Sequence, residues 1–164
     1  MDRLLAWCCL PAAIACASVA APQPLLLFNG SASEPIGLYV RSMAQPGPGR
    51  LVAFHPPPAA RTYVAAHMPQ IGRGGILKAL VAGPGARLCI EDRMLVLDGR
   101  ALGSVSERDS AGRELPHWQG CRVLGVGEYA AFSSRISKSF DSRYFGPVRD
   151  ADLIGVFRPL WVAG

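Results

Sequence analysis

A chain of 164 residues, half of them hydrophobic, is long enough for one domain with one core and too apolar to stay disordered. Its net charge of +5 comes from scattered arginines, and no stripe interleaves basic with aromatic residues, so no nucleic-acid partner is expected. Eighteen glycines and fourteen prolines favour short strands and turns over long helices, and the five cysteines form no C-x-x-C or Cys/His spacing, so neither a zinc site nor any other cofactor is called for.

The first element is an apolar N-terminus. From Leu4 to Pro22 no charge interrupts the run, and Asp2 and Arg3 precede it. The stretch lies at the lower edge of what spans a bilayer, about 20 residues. An uncleaved anchor fits best, because apolar character continues through Pro24 to Phe28. A cleaved signal peptide, with small residues Ser18 and Ala20 before the cut, and a lipoprotein signal ending at Cys16 stay open. Each would send the rest of the chain across the inner membrane. Residues 1–28 are therefore assigned to an anchor or signal segment and residues 29–164 to one globular domain.

Strand signals dominate the remainder of the chain. Gly37 to Arg41 and Arg50 to His55 read as short strands parted by the turn QPGPG. Pro56 to Gly75 is an irregular, Pro-rich excursion with a helical turn around Ala59 to Ala66. Strands are expected at Ile76 to Ala82, Arg87 to Glu91, Met94 to Leu97 and Ala101 to Val105, the last two joined by a hairpin turn at Asp98-Gly99. Glu107 to Gly120 reads as a polar loop. Further strands cover Arg122 to Leu124, Tyr129 to Ser133 and Leu153 to Leu160. The domain is thus all-β, a partly open barrel built from hairpins. If it lies outside the cytoplasm, Cys89 and Cys121 are the natural disulfide.

Three islands carry chemistry. In NGSASEPIGLYV, Asn29 to Val40, Ser33 sits just before a turn stiffened by Pro35, with Gly37 allowing close backbone approach. A serine nucleophile needs such an exposed turn with N–H groups free for an oxyanion, although Ser, Pro and Gly in a row also make plain loops. In GRGGILKALVAGPG, Gly72 to Gly85, Lys78 interrupts an apolar strand. Buried, it would lose proton affinity and serve as a general base; at a strand edge it would reach for water instead. In SKSFDSRYFGPV, Ser137 to Val148, the residues Ser139, Asp141, Ser142 and Arg143 form a polar knot. An Asp–Arg pair there could pin a loop or orient the lysine. His55, His67 and His117 have no carboxylate partner in view, which disfavours a Ser-His-Asp arrangement.

Taken together and in order, these islands resemble the type I signal peptidases. Ser33 falls on that family's nucleophile and Ser31, two residues earlier, on the hydroxyl that helps build the oxyanion hole. KALVAGPG, Lys78 to Gly85, resembles the lysine box and places the general base at Lys78. SFDSRYFGPV resembles the box in which Ser139 is a hydrogen-bond partner of the lysine, with Asp141 and Arg143 its supporting ion pair. GRLVAFHPP and MLVLDGRALG resemble the strand before and the hairpin after the family's lysine box, and ADLIGVFRPLW resembles its last strand. The close Ser-x-Pro-x-Gly-Leu-Tyr spacing and small size are similar to the conjugative-transfer (TraF-type) branch, which matures pilins. The resemblance implies a Ser33/Lys78 endopeptidase in the inner membrane with its catalytic domain in the periplasm. Its partner would be a pilin or other precursor, cut after small residues to give a linear or cyclic product. A self-cleaving repressor would need a DNA-binding domain where the apolar segment lies. The alternative is an inactive anchored β-domain serving pilus assembly.

Overall fold

In the computed structural model, residues 23–163 are described. They build a seven-stranded sheet and a four-stranded sheet, with two short α-helices against the larger one. The larger sheet runs β1 (Leu26–Asn29), β2 (Gly37–Ser42), β11 (Leu153–Val162), β3 (Leu51–Phe54), β4 (Ile76–Ala82), β9 (Glu128–Ala131) and β10 (Val148–Arg149). All named pairings are antiparallel. The sheet curls into a half-barrel, so the expected all-β, partly open architecture is what forms. The smaller sheet orders β7 (Arg100–Ser104), β6 (Met94–Leu97), β5 (Arg87–Glu91) and β8 (Gly120–Val123).

Two boundaries differ from expectation. The domain does not begin after residue 28: Leu26, Leu27 and Phe28 already pair with Val40, Tyr39 and Leu38 in β1. Leu27 is buried while Leu26 and Phe28 face out, an alternation that a continuous apolar run conceals. The helical turn around Ala59 to Ala66 is a ten-residue helix, α1 (Pro58–His67). Pro58 at its first turn costs no hydrogen bond, and the alanines that follow are good helix formers. The proposed anchor from Leu4 to Pro22 lies outside the described residues. Among the described residues no helix is long and apolar enough to cross a membrane.

The main core packs Val52, Phe54, Ile76, Leu80 and Val156 from the sheet against Ala60 and Val64 of α1 and Tyr144 and Phe145 of α2 (Ser142–Phe145). Phe54 and Phe145 meet edge to face at 5.9 Å. A separate cluster, with Leu88, Leu95, Leu124 and Phe132, joins the two sheets. Gly37 is required for packing: a Cβ there would run into the carbonyl of Trp161 on β11.

Cys89 and Cys121 face each other across β5 and β8 and form the expected disulfide, closing a separation of 32 residues. Loop closure of that length stabilises by about 3–4 kcal/mol in the chain-entropy model. A Cys89→Ser/Cys121→Ser protein should therefore unfold at lower denaturant by about that amount. Urea titration of the two forms checks it, and coincident curves would show that the disulfide adds nothing to stability.

Candidate active site

The turn that carries Ser33 is held in shape by its neighbours. Asn29, buried at the end of β1, donates its amide to the carbonyls of Ser31, Glu34 and Pro35 at 2.9–3.0 Å and accepts the Ser31 N–H at 3.1 Å. The Tyr39 hydroxyl donates to the Pro35 carbonyl at 2.6 Å. These bonds replace the strand ladder that the chain leaves at Asn29, so residues 30–36 are fixed although they form no regular element.

Ser33 is 2 % exposed and Lys78 is 4 % exposed, and the Lys78 Nζ lies 2.6 Å from the Ser33 Oγ. Lys78 comes from the middle of β4, whose alternation turns it inward opposite Val52. Its other hydrogen bond goes to the Leu77 carbonyl at 3.0 Å. Burial drives its pKa down to about 8, against the opposing pull of the Asp141 and Glu34 charges. A neutral lysine in contact with a serine hydroxyl can accept its proton, which the strand-edge alternative cannot offer. Ser31 supplies a second hydroxyl 3.0 Å from the Ser33 Oγ, and its oxygen also accepts the Ser33 N–H at 3.4 Å. Ser31 is thus poised beside the reacting oxygen.

Ser139 is placed differently. It lines the same cleft and is 1 % exposed, but its Oγ finds no hydrogen-bond partner among the described residues, Lys78 included. Asp141 and Arg143 form a two-pronged ion pair, Nε to Oδ1 at 2.8 Å and a terminal nitrogen to Oδ2 at 2.9 Å, with both side chains buried. The guanidinium also donates to the carbonyls of Ser137 and Ser139 at 2.8 and 2.9 Å and lies 5.0 Å from the centre of the Phe132 ring. The Asp141 carboxylate accepts the N–H of Ser133 at 3.2 Å and caps α2 through the N–H of Arg143. The pair pins residues 133–143 together; it makes no hydrogen bond to Lys78, on which its two charges act in opposite directions, Asp141 raising and Arg143 lowering the pKa.

Two participants are not evident from the sequence. Glu34, 6 % exposed, accepts the Ala79 N–H at 3.2 Å, which fastens the residue after Ser33 to the residue after Lys78. Burial raises its pKa. Ser133, buried, donates its hydroxyl to the Ser33 carbonyl. The Glu in Ser-Glu-Pro and the first serine of SSRIS are visible in the chain, but nothing local marks either as buried.

A cleft of about 550 Å³ opens over Ser33 and Lys78, walled by Leu27, Phe28, Met68, Ile71, Ile76 and Leu77. Gly75, at φ +71°, lets the chain turn from the preceding 3-10 segment (Pro69–Gly74) into β4, where a Cβ would press on the Phe54 carbonyl at 2.5 Å. On the cleft side β9 pairs with β4 only from Leu80 on, but Ala79 is already engaged, its N–H by the Glu34 carboxylate at 3.2 Å and its carbonyl by the Phe132 N–H at 3.0 Å, so among the described residues the unpaired stretch of that edge is short and lies at Gly75–Leu77.

A family model described as "Signal peptidase, peptidase S26" matches residues 4–161. The plasmid transfer protein TraF of Escherichia coli is 33% identical over 142 residues, 80% of each chain. The conjugal transfer protein TraF of Agrobacterium fabrum is 33% identical over 144 residues, 81% of this chain and 80% of its own. A crystal structure of a signal peptidase I from Enterococcus faecalis aligns at 25% identity and a TM-score of 0.40, covering 70% of this chain and 98% of that one. With a match along nearly its whole length, the chain belongs to the signal peptidase (peptidase S26) family.

Proposed function

We propose that the chain is a membrane-associated serine endopeptidase that matures a conjugative pilin precursor, cutting after small residues with Ser33 as nucleophile and Lys78 as general base. The observation that carries the reading is the 2.6 Å approach of a buried lysine to a buried serine hydroxyl at the base of an open cleft. Neutral Lys78 takes the Ser33 proton as Oγ bonds to the substrate carbonyl carbon. The resulting oxyanion is received by the Ser33 N–H and the Ser31 hydroxyl, each typically worth about 2.7–4 kcal/mol of barrier. The Lys78 ammonium then passes its proton to the departing amine, leaving an acyl-Ser33 ester. Water, or the amino terminus of the same precursor, releases the product.

Among the described residues β1 is an outer strand of the larger sheet and the β4 edge at Gly75–Leu77 is unpaired by any strand, which suits a substrate lying extended between them and paired through its backbone. The pilin substrate is supported by the similarity to conjugal transfer proteins. The placement at the inner membrane with the domain in the periplasm is supported by two features. A disulfide suits an oxidising compartment. Leu25, Leu26, Phe28, Leu160 and Trp161 form an exposed apolar margin where the apolar N-terminal segment joins the domain.

Co-expression with a candidate pilin precursor, followed by mass, tests this. Wild type should shorten the precursor at a small-residue site while Ser33→Ala and Lys78→Ala leave it intact; a further loss of one water would mark cyclisation. Processing by both mutants at the wild-type rate would instead favour the inactive assembly partner. Glu34→Gln should retain activity and move the acidic limb of the kcat/KM profile to lower pH, because removing its charge withdraws support from the Lys78 ammonium. A limb that stays in place would separate Glu34 from the electrostatics of the base.

A further inference from the structure

Beside the cleft lies a second cavity, of about 210 Å³, bordered by Tyr63, His67, Arg108, Asp109, Arg113 and Lys138. The two spaces share Met68, Gln70, Lys138 and Phe140 in their lining, so the cavity adjoins the cleft. Phe140 stands at the junction, stacked between Tyr63 at 5.3 Å and Tyr144 at 5.7 Å, which fixes the shape of the opening. At this size the cavity falls below the roughly 300 Å³ at which small-molecule sites begin, and it suits one side chain.

Its charge is one-sided. The carboxylate of Asp109 is fully taken up: it accepts the Tyr63 hydroxyl at 2.7 Å, the Arg113 Nε at 2.6 Å, and the N–H groups of Ala111 and Arg113 at 2.8 and 2.9 Å. Arg113 is neutralised by that pairing. Arg108 turns away to the Gly112 carbonyl at 2.8 Å and to Glu114 at 3.8 Å. Lys138 is exposed and has neither a hydrogen bond nor an ion pair among the described residues. A lysine that borders both cavities, with the Asp109 carboxylate of the second one saturated, leaves a place for an anion.

Resting on the peptidase reading, we propose that this cavity is a specificity subsite in which an acidic side chain of the bound peptide, at some distance from the cut, pairs with Lys138. The occupant proposed is the substrate itself, because the cavity adjoins the cleft and four residues border both.

Binding to the full-length Ser33→Ala protein tests the subsite without turnover. Fluorescent peptides with alanines at the cut carry glutamate, alanine or lysine at successive positions on either side of it. At one position glutamate should bind about two- to fivefold more tightly than alanine, the range of a partly exposed ion pair, with lysine the weakest. Lys138→Gln should level the three, and Lys138→Glu should reverse their order. The preference should shrink at high salt. Equal affinities at every position would overturn the subsite, as would a glutamate preference that survives Lys138→Glu. Wild-type turnover of the alanine peptide is read separately: turnover without any glutamate selectivity sinks the subsite and spares the peptidase.

Discussion

Lys78→Ala is expected to lower the rate of precursor cleavage by on the order of 10²–10⁴, the usual contribution of a positioned general base. The chain has one other lysine, Lys138, and among the described residues it makes no hydrogen bond to Ser33, so no other lysine side chain stands ready to take the Ser33 proton. Lys78→Arg should fail as well, since a guanidinium stays protonated and cannot act as a base. In wild type, kcat/KM should climb with pH through about 8, the region where burial leaves Lys78 half protonated. Stability should follow the same group. The folded-state value lies below the unfolded one, near 10.5, so the unfolded chain holds an extra proton between about 8 and 10.5. Stability then rises with pH across that window. Lys78→Met should consequently give a more stable, inactive protein at neutral pH. Stopped assays across pH and urea titrations of both variants check these signs; a wild-type profile flat between about 7 and 9 would contradict them.

Removing one half of the Asp141–Arg143 pair is expected to cost the most stability, about 3–5 kcal/mol, because the surviving charge is left buried without a partner. In Asp141→Ala the guanidinium loses both carboxylate contacts, and the N–H groups of Ser133 and Arg143 lose their acceptor. The Ser133 hydroxyl is tied to the Ser33 carbonyl, so loosening residues 133–143 should also reduce activity in whatever fraction remains folded. Replacing both partners, as in Asp141→Ala/Arg143→Met, should cost less than the sum of the single changes, since neither charge is then stranded. Denaturant unfolding of the three variants measures this. Additive losses, or a loss below about 1 kcal/mol for Asp141→Ala, would reduce the pair to a surface-like contact.

Much of the site is readable in the chain because the informative signals are local. Lys78 interrupts an apolar strand, which marks it in the sequence, while the choice between a buried lysine and one at a strand edge is made only by the fold. The Ser-x-Pro turn, the Asp98-Gly99 hairpin and the crowding of Asp141 with Arg143 are likewise short-range. Tertiary contact sets the remainder. Leu26 to Phe28 read as more of an apolar segment, since a half-buried edge strand and a membrane run share a composition over three residues. The full length of α1 is masked by flanking prolines. Glu34 and Ser133 become part of the site only when β4 and β9 bring Ala79 and the chain after Ala131 against the nucleophile turn. Ser139 shows the converse: its place in the cleft is legible, but its hydroxyl does not meet Lys78.

The most direct test of the Ser33/Lys78 pair is the intact mass of the protein after exposure to a serine-directed acylating reagent at a series of pH values. A single adduct is expected, mapped to Ser33, forming faster as pH rises through about 8 and absent from Lys78→Ala. Labelling of Lys78→Ala at the wild-type rate, or an adduct on a different serine, would contradict the pairing.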